Sequence, residues 1–77
     1  MTDKMVDVTI HIDETVAAEE RESIQDRLRS LDGVMAAASH DHTPHLMIVE
    51  YNPDLIDSHK ILDTVMDSGV HAELIGM

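Results

Sequence analysis

The sequence predicts an α+β domain in which four strands and two helices follow the order β-α-β-β-α-β. Three observations carry that prediction. Apolar residues alternate with polar ones near the N-terminus, two stretches repeat apolar residues at helical spacing, and Gly33, Pro53 and Gly69 fall between the periodic segments.

Over residues 5–12, Val6, Val8, Ile10 and Ile12 take one face and Asp7, Thr9 and His11 the other, the pattern of a half-buried strand. From about residue 18 to 31, Ile24, Leu28 and Leu31 recur at helical spacing. Glu19, Glu20 and Glu22 lie near the helix start and Arg27 and Arg29 near its end, which complements the macrodipole. Asp32-Gly33 stops the helix, with Gly33 suited to the left-handed C′ position. Residues 34–40 read as a second strand weakened by alanines, and Asp41-His42-Thr43-Pro44 as a turn. Residues 45–51 form a third strand, with Met47, Val49 and Tyr51 on one face and Leu46, Ile48 and Glu50 on the other. Asn52-Pro53 ends it. Asp57 or Ser58 then caps a second helix whose Ile61, Leu62, Val65 and Met66 form the apolar stripe. Ser68-Gly69 closes that helix, and residues 70–75 supply a last strand with Ala72 and Leu74 inward. This is the order of a ferredoxin-like two-layer sandwich: a four-stranded antiparallel sheet of order 4-1-3-2, with both helices on one face.

Seventy-seven residues allow one domain, spanning 1–77, that buries only ~60% of its unfolded surface. With no cysteine, neither a disulfide nor a thiolate metal site is available. Five basic residues against sixteen acidic ones give a net charge of −11, the opposite of what a nucleic-acid surface needs. Tyr51 is the only aromatic residue, so base stacking is missing as well. The acidity serves solubility, or it attracts a basic partner or a cation; composition leaves both open. No apolar run spans a bilayer, and Met1-Thr2-Asp3-Lys4 lacks the layout of a signal peptide. The expectation is a soluble cytoplasmic protein without membrane insertion.

Three further segments carry a resemblance. Leu31-Asp32-Gly33-Val34, Val49-Glu50-Tyr51-Asn52-Pro53 and Asp67-Ser68-Gly69 resemble the Leu-Pro-Gly-Val, Val-Glu-Tyr-Asp-Pro and Asp-Ala-Gly segments of heavy-metal-associated domains. These are the modules of copper chaperones and of the N-terminal regions of metal-pumping ATPases. The resemblance covers nearly the whole chain and implies the same fold. That family's Gly-Met-Thr-Cys-x-x-Cys loop falls on residues 14–20, where Ala17 stands for the first cysteine and Glu20 for the second. Thiolates select Cu(I); alanine offers no ligand and a carboxylate is a hard one. Copper shuttling through thiolates therefore does not carry over. Val70 stands where an aromatic residue often flanks that loop.

The chain has six histidines. The topology gathers His11, His40, His42, His45 and His71 at one pole, beside the altered loop, and leaves His59 at the other. These five are the candidate metal ligands, for Zn(II), Ni(II) or Cu(II), with Asp13, Asp41 or Glu20 as additional donors. His11 and His71 are expected on adjacent strands of the open face, forming one pair. His40, His42 and His45 are expected to form a separate hairpin group. Histidines in exposed turns also occur with no ligand, and a pH-sensing role is a further alternative. Among the methionines, Met47 and Met66 are expected in the core and no Cu(I)-type cluster emerges.

Leu46, Ile48 and Ile75, beside Ala36 and Ala38, put apolar side chains on the open face, where polar ones are usual. That face is a candidate contact surface for a protein partner or a second copy. No nucleophile sits beside a histidine in a recognisable arrangement and no Gly-rich phosphate loop is present, so an enzyme is not expected. Two functions remain: a histidine-based divalent-metal domain that delivers or senses the ion for a partner, or a metal-free interaction or regulatory module.

Overall fold

A computed structural model describes residues 5–75 of the chain, so Met1-Thr2-Asp3-Lys4, read above for a leader, lies outside the described residues. The elements are β1 (Val6–Ile12), α1 (Ala18–Arg29), β2 (Val34–His40), β3 (Thr43–Tyr51), α2 (Ser58–Met66) and β4 (Ala72–Ile75). They form one sheet of order β2-β3-β1-β4 with every pairing antiparallel. This is the predicted 4-1-3-2 order read from the opposite edge. Among the described residues, no helix is long and apolar enough to cross a membrane.

Strand alternation places the core. Val8, Ile10 and Ile12 of β1 and Met47, Val49 and Tyr51 of β3 are buried, and they meet Ile24 and Leu28 of α1 and Ile61 and Val65 of α2. Both helices thus cover one face, and each fully buried aliphatic side chain contributes about 1.5–3 kcal/mol. Asp57 caps α2 by accepting from the Lys60 N–H. The N-cap of α1 is Ala17, which has no side-chain acceptor to offer.

Polar side chains of α1 hold the exposed edge. Arg21, Gln25 and Arg29, spaced four apart along one helix stripe, all reach β2. Arg21 donates to the His40 carbonyl at 3.1 Å, Arg29 donates to the Ala37 carbonyl at 2.8 Å, and Ser39 Oγ donates to Gln25 Oε1 at 2.7 Å. These bonds tie α1 to the edge strand of the sheet.

Four local expectations are corrected. Gly33 is not the C′ residue of α1, whose C-cap is Ser30; it lies at the end of the following turn. Its φ of +98° and the 2.8 Å that would separate an added Cβ from Ile56 Cγ2 are what require glycine there. The β2–β3 turn is only Asp41-His42, because Thr43 and Pro44 already belong to β3. Pro44 is accommodated because the pairing jumps from Ser39↔Met47 to His40↔Thr43, leaving residues 44–46 without β2 partners. Met66 is 37% exposed, since the buried stripe of this short helix is Ile61 and Val65. Val70 is buried but precedes the last strand, which begins at Ala72.

Candidate metal centre

Strand parity and register build the site. His11 and Asp13, two residues apart at the end of β1, follow the open-face parity. Across the β1–β4 ladder, His11 is paired with Glu73. The three side chains converge: His11 Nδ1 lies 3.2 Å from Asp13 Oδ1 and 3.9 Å from Glu73 Oε1. One donor atom from each falls within 4.8 Å of the others. His11 Nδ1 is itself buried and has no hydrogen-bond partner, the Asp13 oxygen being near but not aligned.

His45 belongs to this corner rather than to the hairpin. Its Nδ1 is 2.7 Å from the Ile12 carbonyl oxygen, so Nδ1 carries the proton and donates, and Nε2 keeps its lone pair in the neutral ring. The irregular stretch at residues 44–46 is what frees His45 for this role: its ring supplies a donor to a carbonyl just beyond the last β1–β3 pair, His11↔Leu46. The ring also stacks on His11, with centroids 5.8 Å apart and planes 19° from parallel.

His71 and His11 share the pole but do not pair. The Asp13 N–H donates to the His71 carbonyl, which places His71 opposite Asp13, two residues away from the expected register. The His71 ring is instead clasped by Glu14: the backbone N–H donates to Oε1 at 2.8 Å and Nδ1 donates to Oε2 at 2.6 Å. The hydrogen bond His71 donates to Glu14, reinforced by the carboxylate charge, raises the His71 pKa above the ordinary imidazole value. The same side-chain bond, with the backbone one, holds the Glu14 carboxyl below the ordinary carboxylate value. This clasp ties the β1–α1 loop to the start of β4.

His40 and His42 form a separate group at the hairpin. Both are exposed, with ring centroids 6.5 Å apart and edge-on, beside a shallow concavity of about 320 Å³ lined with Thr43. Asp41, the carboxylate between them, is already engaged by Arg21 Nη2 at 2.7 Å. Ala17 and Glu20 are both exposed at the start of α1. The sequence reading missed Glu73, Glu14 and Arg21. Glu73 shares the open-face parity of His11, so its face was readable, but its position opposite His11 was not.

On the open face, Thr9 is paired with Ile48 on one side and Ile75 on the other, and Ile48 is paired in turn with Ala38. Ile48 and Ile75 are 46% and 39% exposed, while Leu46 is half-buried beside His11.

No family model matches the chain, and no curated protein matches it. Solved structures do match its fold. One is the N-terminal domain of a potential copper-translocating P-type ATPase from Bacillus subtilis in the Cu(I)-loaded state. It superposes with a TM-score of 0.85 at 23% identity, covering 95% of this chain and 90% of that one. A copper-binding domain from the P-type ATPase HMA7 gives 0.82 at 20% identity, with 91% and 93% covered. Oxidized MerP from Ralstonia metallidurans CH34 gives 0.83 at 12% identity, with 95% and 100% covered. The chain therefore has the ferredoxin-like fold of heavy-metal-associated domains, without a cysteine.

Proposed function

We propose that this chain is a single heavy-metal-associated-type module that binds a divalent cation through imidazoles at the histidine pole and delivers or reports it to a protein partner in the cytoplasm. Zn(II), Ni(II) and Cu(II) are the ions that suit such ligands. Its role is that of a carrier or sensor rather than an enzyme. The likened structures include copper-binding domains of P-type ATPases, but thiolate capture of Cu(I) is closed to a chain with Ala17 and Glu20 in the loop.

The observation that carries the proposal is the state of the rings. His45 and His71 each commit Nδ1 to an oxygen acceptor, a backbone carbonyl in one case and a carboxylate in the other. Neutral rings held this way present Nε2 as an oriented donor, the arrangement usual around metal-ligating histidines. His11, His40 and His42 complete the candidate set.

Adding Zn(II), Ni(II) or Cu(II) while recording amide and imidazole NMR shifts tests this directly. Site-specific shifts at the pole with micromolar or tighter affinity, weakened by His11→Ala, are expected. Weak, diffuse broadening over the acidic surface would overturn it.

The apolar row through Ile48 and Ile75 favours a second reading, in which Leu46, Ile48 and Ile75 seat a partner or a second copy and no metal is involved. Concentration-independent monomeric behaviour and no retained interactor after Ile48→Glu and wild-type comparison would count against that alternative.

A further inference from the structure

We infer that the cation is held on the open sheet face by His11 Nδ1, Asp13 and Glu73, rather than by residues of the 14–20 loop. This site presupposes the divalent-cation function proposed above and assigns its ligands and its ion class.

Ligand bonds of ~2.0–2.2 Å at a tetrahedral angle place neighbouring donor atoms about 3.4 Å apart. The two separations measured from His11 Nδ1, 3.2 Å to Asp13 and 3.9 Å to Glu73, bracket that edge. Both carboxylates are more than half exposed and free to close the remaining gap by side-chain rotation.

The buried, unpartnered Nδ1 supplies a second reason. A polar atom left this way carries an uncompensated desolvation cost. A cation on its lone pair, bridged to two flanking carboxylates, removes that cost and neutralises the acidic corner. One imidazole with two carboxylates is a borderline-to-hard donor set, suited to Zn(II) and poorly suited to Cu(I). His45 touches none of these donors through a bond; its ring stacks on His11 and positions it.

The test uses Zn(II) itself against the full chain. Nitrogen-15 spectra of the imidazoles should show Zn(II) moving Nδ1 of His11 and leaving its Nε2 near the unliganded shift. Glu73→Gln and Asp13→Asn, both at exposed positions and checked for an intact amide spectrum, should each weaken Zn(II) at least about tenfold, the loss typical of disturbing even an outer-shell partner. His59→Ala, at the exposed start of α2 and the opposite pole, should leave the affinity unchanged. Zn(II) binding that survives both carboxylate changes, or that moves only His40, His42, His45 or His71, would overturn this site while leaving the divalent-cation function standing. No shift at any imidazole with millimolar Zn(II) would remove both.

Discussion

Two corners of the same pole carry the same residue types in different physical states. At the β1–β4 corner, His11 faces two carboxylates that have no Lys or Arg partner among the described residues. At the β2–β3 hairpin, His40 and His42 flank a carboxylate already bound to the guanidinium of Arg21. Arg21 is 6% exposed and is held by two acceptors, the His40 carbonyl and Asp41. A fixed positive charge there repels an incoming cation and engages the one anionic donor. What distinguishes the corners is therefore whether the carboxylates are free, and counting histidines does not reveal it.

The largest expected effect strikes both corners together. Ile10, fully buried next to His11, should cost about 2–5 kcal/mol when changed to alanine. That is a large share of the ~4–12 kcal/mol available to a domain of this size. Urea denaturation should show one transition at lower midpoint. Two separated transitions would mean that the corners rest on independent cores.

Replacing Arg21 with methionine sharpens the contrast. The His40 carbonyl loses its donor and Asp41 is released, at a cost of about 1–3 kcal/mol. Zn(II) should then shift His40 and His42 more strongly while the His11 corner keeps its affinity. Unchanged hairpin shifts would show that the guanidinium is not what silences it.

Ala17→Ser separates the loop from both corners. A serine at the N-cap of α1 gives the helix an acceptor it now lacks and should stabilise the domain by ~1 kcal/mol. Zn(II) affinity should not move. A changed affinity would return the loop to the binding site.

The smallest effect is the pH response of the Glu14–His71 clasp in the metal-free protein. His71, with its pKa raised, contributes stability that is fully present below the ordinary imidazole value and is lost as pH rises through the raised one. Glu14, with its pKa lowered, contributes stability present above the ordinary carboxylate value and lost as pH falls through the lowered one. The clasp therefore holds best between about pH 4.3 and 6.5, and solvent screening keeps its effect small. In Glu14→Gln, an NMR titration should bring His71 down towards the ordinary range. If wild-type and variant titrate alike, the clasp does not form in solution.

Much of the fold was readable because each rule involved is local. Alternation from Val8 to Ile12 assigned the faces of β1, Asp57 or Ser58 announced the start of α2, and Gly33 and Gly69 fell where positive φ is needed. The candidate centre was readable only in part. Parity placed His11 on the open face but could not say which β4 residue stands across from it. A shift of two residues, from His71 to Glu73, keeps every side chain on its own face and leaves the hydrophobic pattern unchanged. Likewise, nothing near His45 in the sequence announces that its ring donates to Ile12, because the β3 irregularity that frees it is a property of the paired sheet.

By itself, the amino-acid sequence determined the element order, the core faces and the absence of thiolate chemistry. Only the tertiary structure decided which histidine meets which carboxylate, and that Arg21 had already claimed Asp41. The physical reason is range: periodicity and caps act within a few residues, whereas donor sets depend on strand register and on contacts between residues such as Glu14 and His71, fifty-seven positions apart.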